Sequence, residues 1–225
     1  MRAGVLGTGT VGRSVGGKLR ELGHDVVIGT RDPVELMERA EPDARGNDPF
    51  AVWQQQHPDI GIATFRDAAA HGDLLVNATS GAGSLDALRS VGEETLAGKV
   101  LVDIANPLDF SRGMPPSLLV SNTDSLAEQI QREFPAARVV KSLNTVTAAV
   151  MVDPGSIANG HHTIFVSGDD PEAKREVTGL LEAFGWKDVL DLGPLSTARA
   201  AEMYLPLWVA VMMERGPMFN VAVVQ

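Results

Sequence analysis

The chain has 225 residues, 29 acidic side chains against 19 Lys and Arg, a net charge of −10 and 44% hydrophobic residues. That length suits one large domain, or a large one with a small one, and the mixture is that of a globular protein able to bury a core without cross-links. The lack of cysteine excludes disulfides, thiolate catalysis and cysteine-ligated metals. The acidic balance argues against broad nucleic-acid binding, which depends on neutralising phosphates. No apolar run approaches the roughly 20 residues of a membrane helix. The N-terminus, Met1 to Leu6, enters a strand-like run with no secretory pattern, so a cytoplasmic protein is expected.

In chain order the pattern predicts a strand at Ala3–Leu6, a helix at Val11–Leu22, a strand at Val26–Gly29 and helices at Pro33–Ala40 and Pro49–His57. Strands at Ile60–Phe65 and Asp73–Thr79 follow, then a helix at Leu85–Leu96, a strand at Val100–Ala105, a helix at Ser125–Phe134 and a strand at Arg138–Leu143. The last part reads as a strand at Thr163–Ser167, a helix at Pro171–Phe184, a strand at Asp188–Leu192 and a helical stretch from Ser196 to Arg215. Alternation of strands and helices implies parallel pairing. The nearly continuous apolar runs Asp73-Leu74-Leu75-Val76 and Lys99-Val100-Leu101-Val102 suit strands covered on both faces. The expected fold is therefore α/β, a doubly wound Rossmann-type parallel sheet with extra C-terminal strands and a small helical C-terminal unit. The change of rhythm after Leu143 divides it into residues 1–143, dinucleotide-binding, and 144–225, a small α/β unit expected to carry a second-substrate pocket and a dimer contact.

The strongest motif is Gly7-Thr8-Gly9-Thr10-Val11-Gly12, after a strand and opening a helix. Gly7 permits a tight turn, Gly9 lets backbone approach a pyrophosphate, and Gly12 lets helix and strand pack closely. The helix N-terminus supplies unpaired N–H groups and the positive end of its dipole. The second strand then ends in Gly29-Thr30-Arg31-Asp32. An NAD site usually places an acid here for the ribose hydroxyls, whereas an NADP site uses small polar and basic residues for the 2′-phosphate. Thr30 and Arg31 favour NADP, and Asp32 before Pro33 reads as a helix N-cap.

Ligands in such sheets sit beyond the carboxyl ends of the strands. There the chain offers Asn77-Ala78-Thr79-Ser80, Ala105-Asn106-Pro107-Leu108 and Leu143-Asn144-Thr145-Val146: small residues, amides and hydroxyls. Thr79, Ser80, Ala105, Asn106 and Pro107 are expected beside the cofactor, and Leu108, Asn144, Thr145 and Val146 beside the second substrate. Lys141, within the sixth strand, reads as snorkelling or paired. None of His24, His57, His71, His161 and His162 falls at such a strand end, and the adjacent pair His161-His162 reads as a solvated loop rather than a metal site. A carbonyl or alcohol dehydrogenase normally positions a proton donor at the carbonyl. Hydride exchange between two ring cofactors depends mostly on stacking and distance. No catalytic side chain and no metal are assigned.

The pattern resembles the coenzyme F420-dependent NADP oxidoreductases over nearly the full length. The resemblance rests on Gly7–Gly12, Gly29-Thr30-Arg31, Val166-Ser167-Gly168-Asp169-Asp170, and Gly193-Pro194-Leu195-Ser196 with Arg199. It implies that Thr8, Gly9, Thr10 and Val11 hold the pyrophosphate and that Thr30 and Arg31 hold the 2′-phosphate. It further implies hydride transfer between NADPH and a deazaflavin, in a dimer built through the C-terminal part. The chain departs from the family pattern at Asn144-Thr145-Val146-Thr147, where a His-Thr-Ile-Pro-like segment is expected. The loop from Asn106 to Phe110 is similar to a subgroup known only as dinucleotide-binding, and the oxidoreductase domain of the six-transmembrane metalloreductases is a further relative. F420 or a flavin is accordingly the expected acceptor. A small carbonyl or imine substrate, or a non-catalytic NADP(H) sensor, are the alternatives. The apolar stretch Ala198–Met213, interrupted by Pro206, is expected to kink or break there and to form a homodimer contact.

Overall fold

The structure, a computed structural model, describes residues 1–43 and 46–224. Ala44, Arg45 and Gln225, within the two expected units, lie outside the described residues. The elements are β1 (Arg2–Leu6), α1 (Thr10–Glu21), β2 (Asp25–Thr30), α2 (Pro33–Glu38), α3 (Phe50–Gln56), β3 (Gly61–Thr64), α4 (Phe65–His71), β4 (Leu74–Asn77), α5 (Ser84–Val91), α6 (Glu93–Leu96) and β5 (Val100–Asp103). They continue with β6 (Leu108–Asp109), β7 (Ser117–Leu118), α7 (Leu126–Glu133), β8 (Arg138–Ser142), α8 (Ala148–Val152), β9 (Thr163–Gly168), α9 (Pro171–Phe184), β10 (Asp188–Gly193), α10 (Ala198–Met203) and α11 (Leu205–Arg215).

Eight strands form one sheet in the order β10-β9-β8-β5-β4-β1-β2-β3. The order β3-β2-β1-β4-β5-β8 is that of a doubly wound dinucleotide fold, and its switch point lies between β1 and β4. Pairing is parallel there, with Leu6 level with Gly29 on one side and Asn77 on the other. The expectation of parallel pairing fails at one place, where β9 runs antiparallel to β8, with Val140 opposite Gly168 and Ser142 opposite Val166. The physical reason is the connection: β9 begins at the sheet end where β8 finishes, so the chain needs no crossover back. Helix α9 then provides an ordinary crossover, and β10 is parallel to β9.

Each face of the sheet carries a core. On one face Val15 and Leu19 of α1 pack with Phe50, Val150 and Met151, and with Val177 and Leu181 of α9. On the other Ala68, Leu88, Ile130 and Ala198 cover Leu6, Leu75, Leu101 and Val139. Val146, Val150 and Ile164 share a core cluster with Ala3 and Val5, so packing is continuous across Leu143.

Several local boundaries differ from the pattern. Phe65, expected to end a strand, opens α4, because Thr64 caps it: its hydroxyl accepts the Asp67 N–H at 3.2 Å and donates to the Asp67 carboxylate at 2.6 Å. The helix expected over Leu85–Leu96 is divided at Gly92, whose φ of 91° is outside helical space. Helix α8 was not foreseen, nor the small antiparallel pair β6–β7. The last helix breaks as expected, α10 ending at Met203 and α11 taking Pro206 into its first turn. His162, expected in a solvated loop, is instead buried: its Nε2–H donates to the Pro154 carbonyl at 2.9 Å, and its Nδ1 accepts from Asn220.

Asp170 and Asp124 are among the carboxylates that arginines hold below their ordinary range. Asp170 caps α9 and pairs with Arg138 at 2.6 Å, and Arg138 is the leading cause of its depression. Asp124 pairs with Arg132 at 2.7 Å and is lowered to about 2. A carboxylate depressed in the folded state stabilises it above its unfolded pKa of roughly 3.9, and that contribution is lost as pH falls through the folded value. The stability gap between wild type and Arg138→Gln, measured by urea denaturation, should therefore be widest above about pH 4 and shrink toward pH 2.

Candidate dinucleotide site

The site begins where β1 gives way to α1. Gly7 has a φ of 123°, and a side chain there would lie 2.5 Å from the Ala78 carbonyl oxygen. At Gly12 a β-carbon would lie 1.9 Å from the Gly7 carbonyl oxygen. These two glycines therefore answer to the protein's own packing. Gly9 does not: as the N-cap of α1, it has no atom within 4 Å of the position a β-carbon would take. The first turn of α1 holds no acid and its last turn holds Lys18 and Arg20, so its dipole is unopposed at the N-terminus. Arg13 steadies the loop, donating to the Thr8 carbonyl at 2.9 Å and to the Asp48 carbonyl at 2.7 Å. Thr10 donates to the Asn47 side-chain oxygen at 3.0 Å, and Val11 is half-buried.

At the end of β2, Thr30 is buried and Arg31 is exposed. The Arg31 guanidinium makes no hydrogen bond or ion pair with the described residues. Asp32 is committed as the cap of α2, accepting from Val34 N at 2.9 Å and Glu35 N at 3.0 Å. The cation is thus available at this strand end, while the acid is occupied.

The loops after β4, β5 and β8 are brought together. A side chain on Gly81 would lie 2.0 Å from the Asn106 carbonyl oxygen, so the first two loops touch through backbone. The Thr79 hydroxyl donates to the Asn77 side-chain oxygen at 2.6 Å and lies 2.8 Å from that of Ser84, while Ser80 is exposed. Asn106 and Asn144 form a reciprocal pair: Asn106 Nδ2 donates to the Asn144 carbonyl at 2.9 Å, and Asn144 Nδ2 donates to Asn106 Oδ1 at 3.0 Å. The same Asn144 amide also donates to the Ala201 carbonyl at 3.0 Å. Pro107 accepts from Leu119 N at 2.7 Å, which starts the β6–β7 pair and places Leu108 half-buried. Ala105, Thr145 and Val146 are buried at 4%, 1% and 4% exposure, so the third loop presents Asn144 through its partners rather than an open side chain. Leu143 enters that loop at a φ of 61°, a conformation costing about 1–3 kcal/mol that tight packing must hold.

Beneath these loops lies a buried charged cluster that the pattern did not reveal. The Lys141 ammonium meets Asp103 at 2.9 Å, Glu202 at 3.0 Å and the Ala105 carbonyl. Glu202 in turn accepts from Leu126 N at 2.8 Å and Ala127 N at 3.2 Å, closing the N-terminus of α7. Asp103 accepts from the Asn77 amide at 2.8 Å and from Ala105 N at 3.2 Å. Lys141 is paired and not snorkelling, and its carboxylate partners keep it charged against the opposing pull of burial. The available signal was a charged residue at or near the end of each of two strands, Asp103 closing β5 and Lys141 following Val139-Val140 in β8. Glu202, some 60 positions later, carries no such signal.

The family described as NADP oxidoreductase, coenzyme F420-dependent, matches residues 2–107. A crystal structure from Arthrobacter sp. FB24, of a protein provisionally assigned as an F420-dependent NADP reductase, is 56% identical, with a TM-score of 0.95 over 100% of this chain and 99% of that one. The F420-dependent NADP reductase of Methanocaldococcus jannaschii is 29% identical over 94% of this chain and 92% of its own length. Metalloreductase STEAP3 of Rattus norvegicus is 30% identical over 92% of this chain, which spans 38% of that relative's length. A reductive aminase from Aspergillus terreus, in complex with NADPH and ethyl levulinate, shares the fold at a TM-score of 0.62 and 18% identity. With a near-identical fold over its whole length and a matching N-terminal half, the chain belongs to the coenzyme F420-dependent NADP oxidoreductase family.

Proposed function

We propose that this chain binds NADP(H) across the β1–β4 switch point and transfers a hydride between it and a deazaflavin, F420, or a flavin-like acceptor. The observation that carries the reading is the open space at Gly9. The neighbouring glycines are demanded by contacts inside the protein, whereas no described atom crowds Gly9, and a pyrophosphate drawn close to the backbone there would require its lack of a side chain. Backbone N–H groups from Thr8 to Gly12 would hold the pyrophosphate at the α1 N-terminus. Thr30 and Arg31, which has no partner among the described residues, would hold the 2′-phosphate.

Thr79, Ser80, Ala105, Asn106 and Pro107 would border the nicotinamide, which supplies the hydride when the cofactor is bound. Leu108 and the loop Asn144–Val146 would border the acceptor. The chain's work at this end is positional. The Asn106–Asn144 pair fixes two loop ends relative to each other, and the Lys141 ammonium beneath them is occupied by carboxylates. Such a floor suits a planar ring held by distance and orientation better than a carbonyl that needs a proton donor.

The proposed setting is the cytoplasm and the proposed assembly a homodimer. Leu207 and Met213 on α11 are 59% and 60% exposed, with Met203 at the end of α10 beside them in sequence. No described helix is long and apolar enough to cross a membrane.

Calorimetry separates the phosphate contacts. Arg31→Ala should lower NADP+ affinity by more than tenfold and leave NAD+ unchanged; equal loss of both refutes the 2′-phosphate site. Gly9→Ala should keep the melting temperature of the wild type and lose both nucleotides. Mixing the enzyme with NADPH and F420, or with free flavins, should oxidise NADPH. Oxidation only with small carbonyls or imines, or tight binding with no turnover, would replace this acceptor with one of those readings. Light scattering at micromolar concentration should give twice the chain mass, and a monomer would remove the dimer.

A further inference from the structure

The buried cluster under the loops has a net charge. Asp103 and Glu202 are formally negative and Lys141 positive, which leaves −1. Every hydrogen-bond neighbour of their oxygens among the described residues donates. Asn77 Nδ2, Ala105 N and Lys141 Nζ donate to Asp103; Leu126 N, Ala127 N and Lys141 Nζ donate to Glu202. The α7 N-terminus offsets roughly half a charge, so the cluster stays negative. Of the other charges on these helices, Arg199 pairs with Glu128, Arg132 with Asp124 before α7, and Glu133 with Arg89, which Asp86 also meets.

Its place in the chain puts the cluster directly below the site floor. Asp103 lies three positions before Asn106 and Lys141 three before Asn144, and Glu202 adjoins Ala201, whose carbonyl receives the Asn144 amide. The Ala105 carbonyl, in the loop expected to border the nicotinamide, is bonded to the ammonium itself. In a water-excluded interior such a charge is weakly screened.

We infer that the Asp103–Lys141–Glu202 cluster is an electrostatic poise for the nicotinamide, favouring its oxidised, cationic ring over its reduced, neutral ring. The inference rests on the proposed NADP(H) site. When the two-electron hydride leaves NADPH for the acceptor, the ring gains one positive charge, and a fixed negative charge below it stabilises that product. The three residues are positioning groups and touch neither ring. NADP+ and NADPH share the pyrophosphate and the 2′-phosphate, so the ratio of their affinities cancels those contacts and reports the ring.

The test is calorimetric titration of the purified protein with NADP+ and with NADPH, in the wild type and in Glu202→Gln and Asp103→Asn. Each substitution removes one negative charge and disturbs a different neighbour, α7 in one case and the end of β5 in the other. Both should shift the affinity ratio toward NADPH by about tenfold, in the same direction. A general loosening of the loops would weaken both ligands together and leave the ratio unchanged. A ratio within twofold of wild type in a variant that binds both nucleotides overturns the inference while leaving the proposed cofactor standing. If the wild type binds neither nucleotide, the proposed function fails and takes this inference with it. Should neither variant fold, the wild-type ratio decides: NADP+ bound at least as tightly as NADPH supports the poise, and the reverse order overturns it.

Discussion

One ammonium ion holds the working end of this molecule together. Lys141 projects from the middle of the sheet and bonds the end of β5 through Asp103 and Ala105 and helix α10 through Glu202. Through the Glu202 carboxylate it also reaches the first N–H groups of α7. Burying charges is costly, and a buried pair is a poor source of net stability when compared with an apolar filling of the same shape. Breaking one is another matter, costing about 3–5 kcal/mol, because the remaining charge is stranded. The arrangement is therefore better understood as a fixing device: each partner is tolerable only with the others in place. It forces β5, β8, α7 and α10 into one relative position, and the loops above inherit that position.

The loops repeat the theme with neutral groups. Asn77 gives its amide N–H to Asp103 and Ser84 and its oxygen to Thr79, so the turn after β4 is tied to the buried cluster. Asn106 and Asn144 then join the turns after β5 and β8 amide to amide. In a low-dielectric interior such fully partnered polar chains rigidify what they connect. A site that works by holding two planar rings at a fixed separation needs that stiffness more than it needs an acid or a base. At the opposite end of the site, stiffness comes from close packing and one guanidinium: Gly7 and Gly12 let backbone meet backbone, and Arg13 braces the turn through the Thr8 carbonyl.

Much of this was legible in the amino-acid order. Gly7, Gly9 and Gly12 between an apolar strand and an amphipathic helix announce the phosphate turn, and Thr30-Arg31-Asp32-Pro33 announces both the free cation and the capping acid. The doubly wound order of the first strands follows from short apolar runs separated by helices, since local pattern and handedness leave few alternatives. Pro206 marks where the last helix must break. These are local properties, written within a few residues of where they act.

What the tertiary structure decided is everything that depends on residues far apart in the chain meeting in space. The reversal of β9 depends on which end of the sheet the segment after Leu143 emerges from, and no periodicity encodes that. The burial of Asn144 depends on α10, whose Ala201 carbonyl takes its amide, and that of Val146 on the core around β1 and α1. The partners of Lys141 come from positions 103 and 202, and only the folded sheet brings them within 3.0 Å of its ammonium. Sequence spacing fixes dihedral preferences and amphipathic faces. Long-range pairing is fixed by the free energy of the whole packed core, in which a buried charge survives only where its partners also arrive.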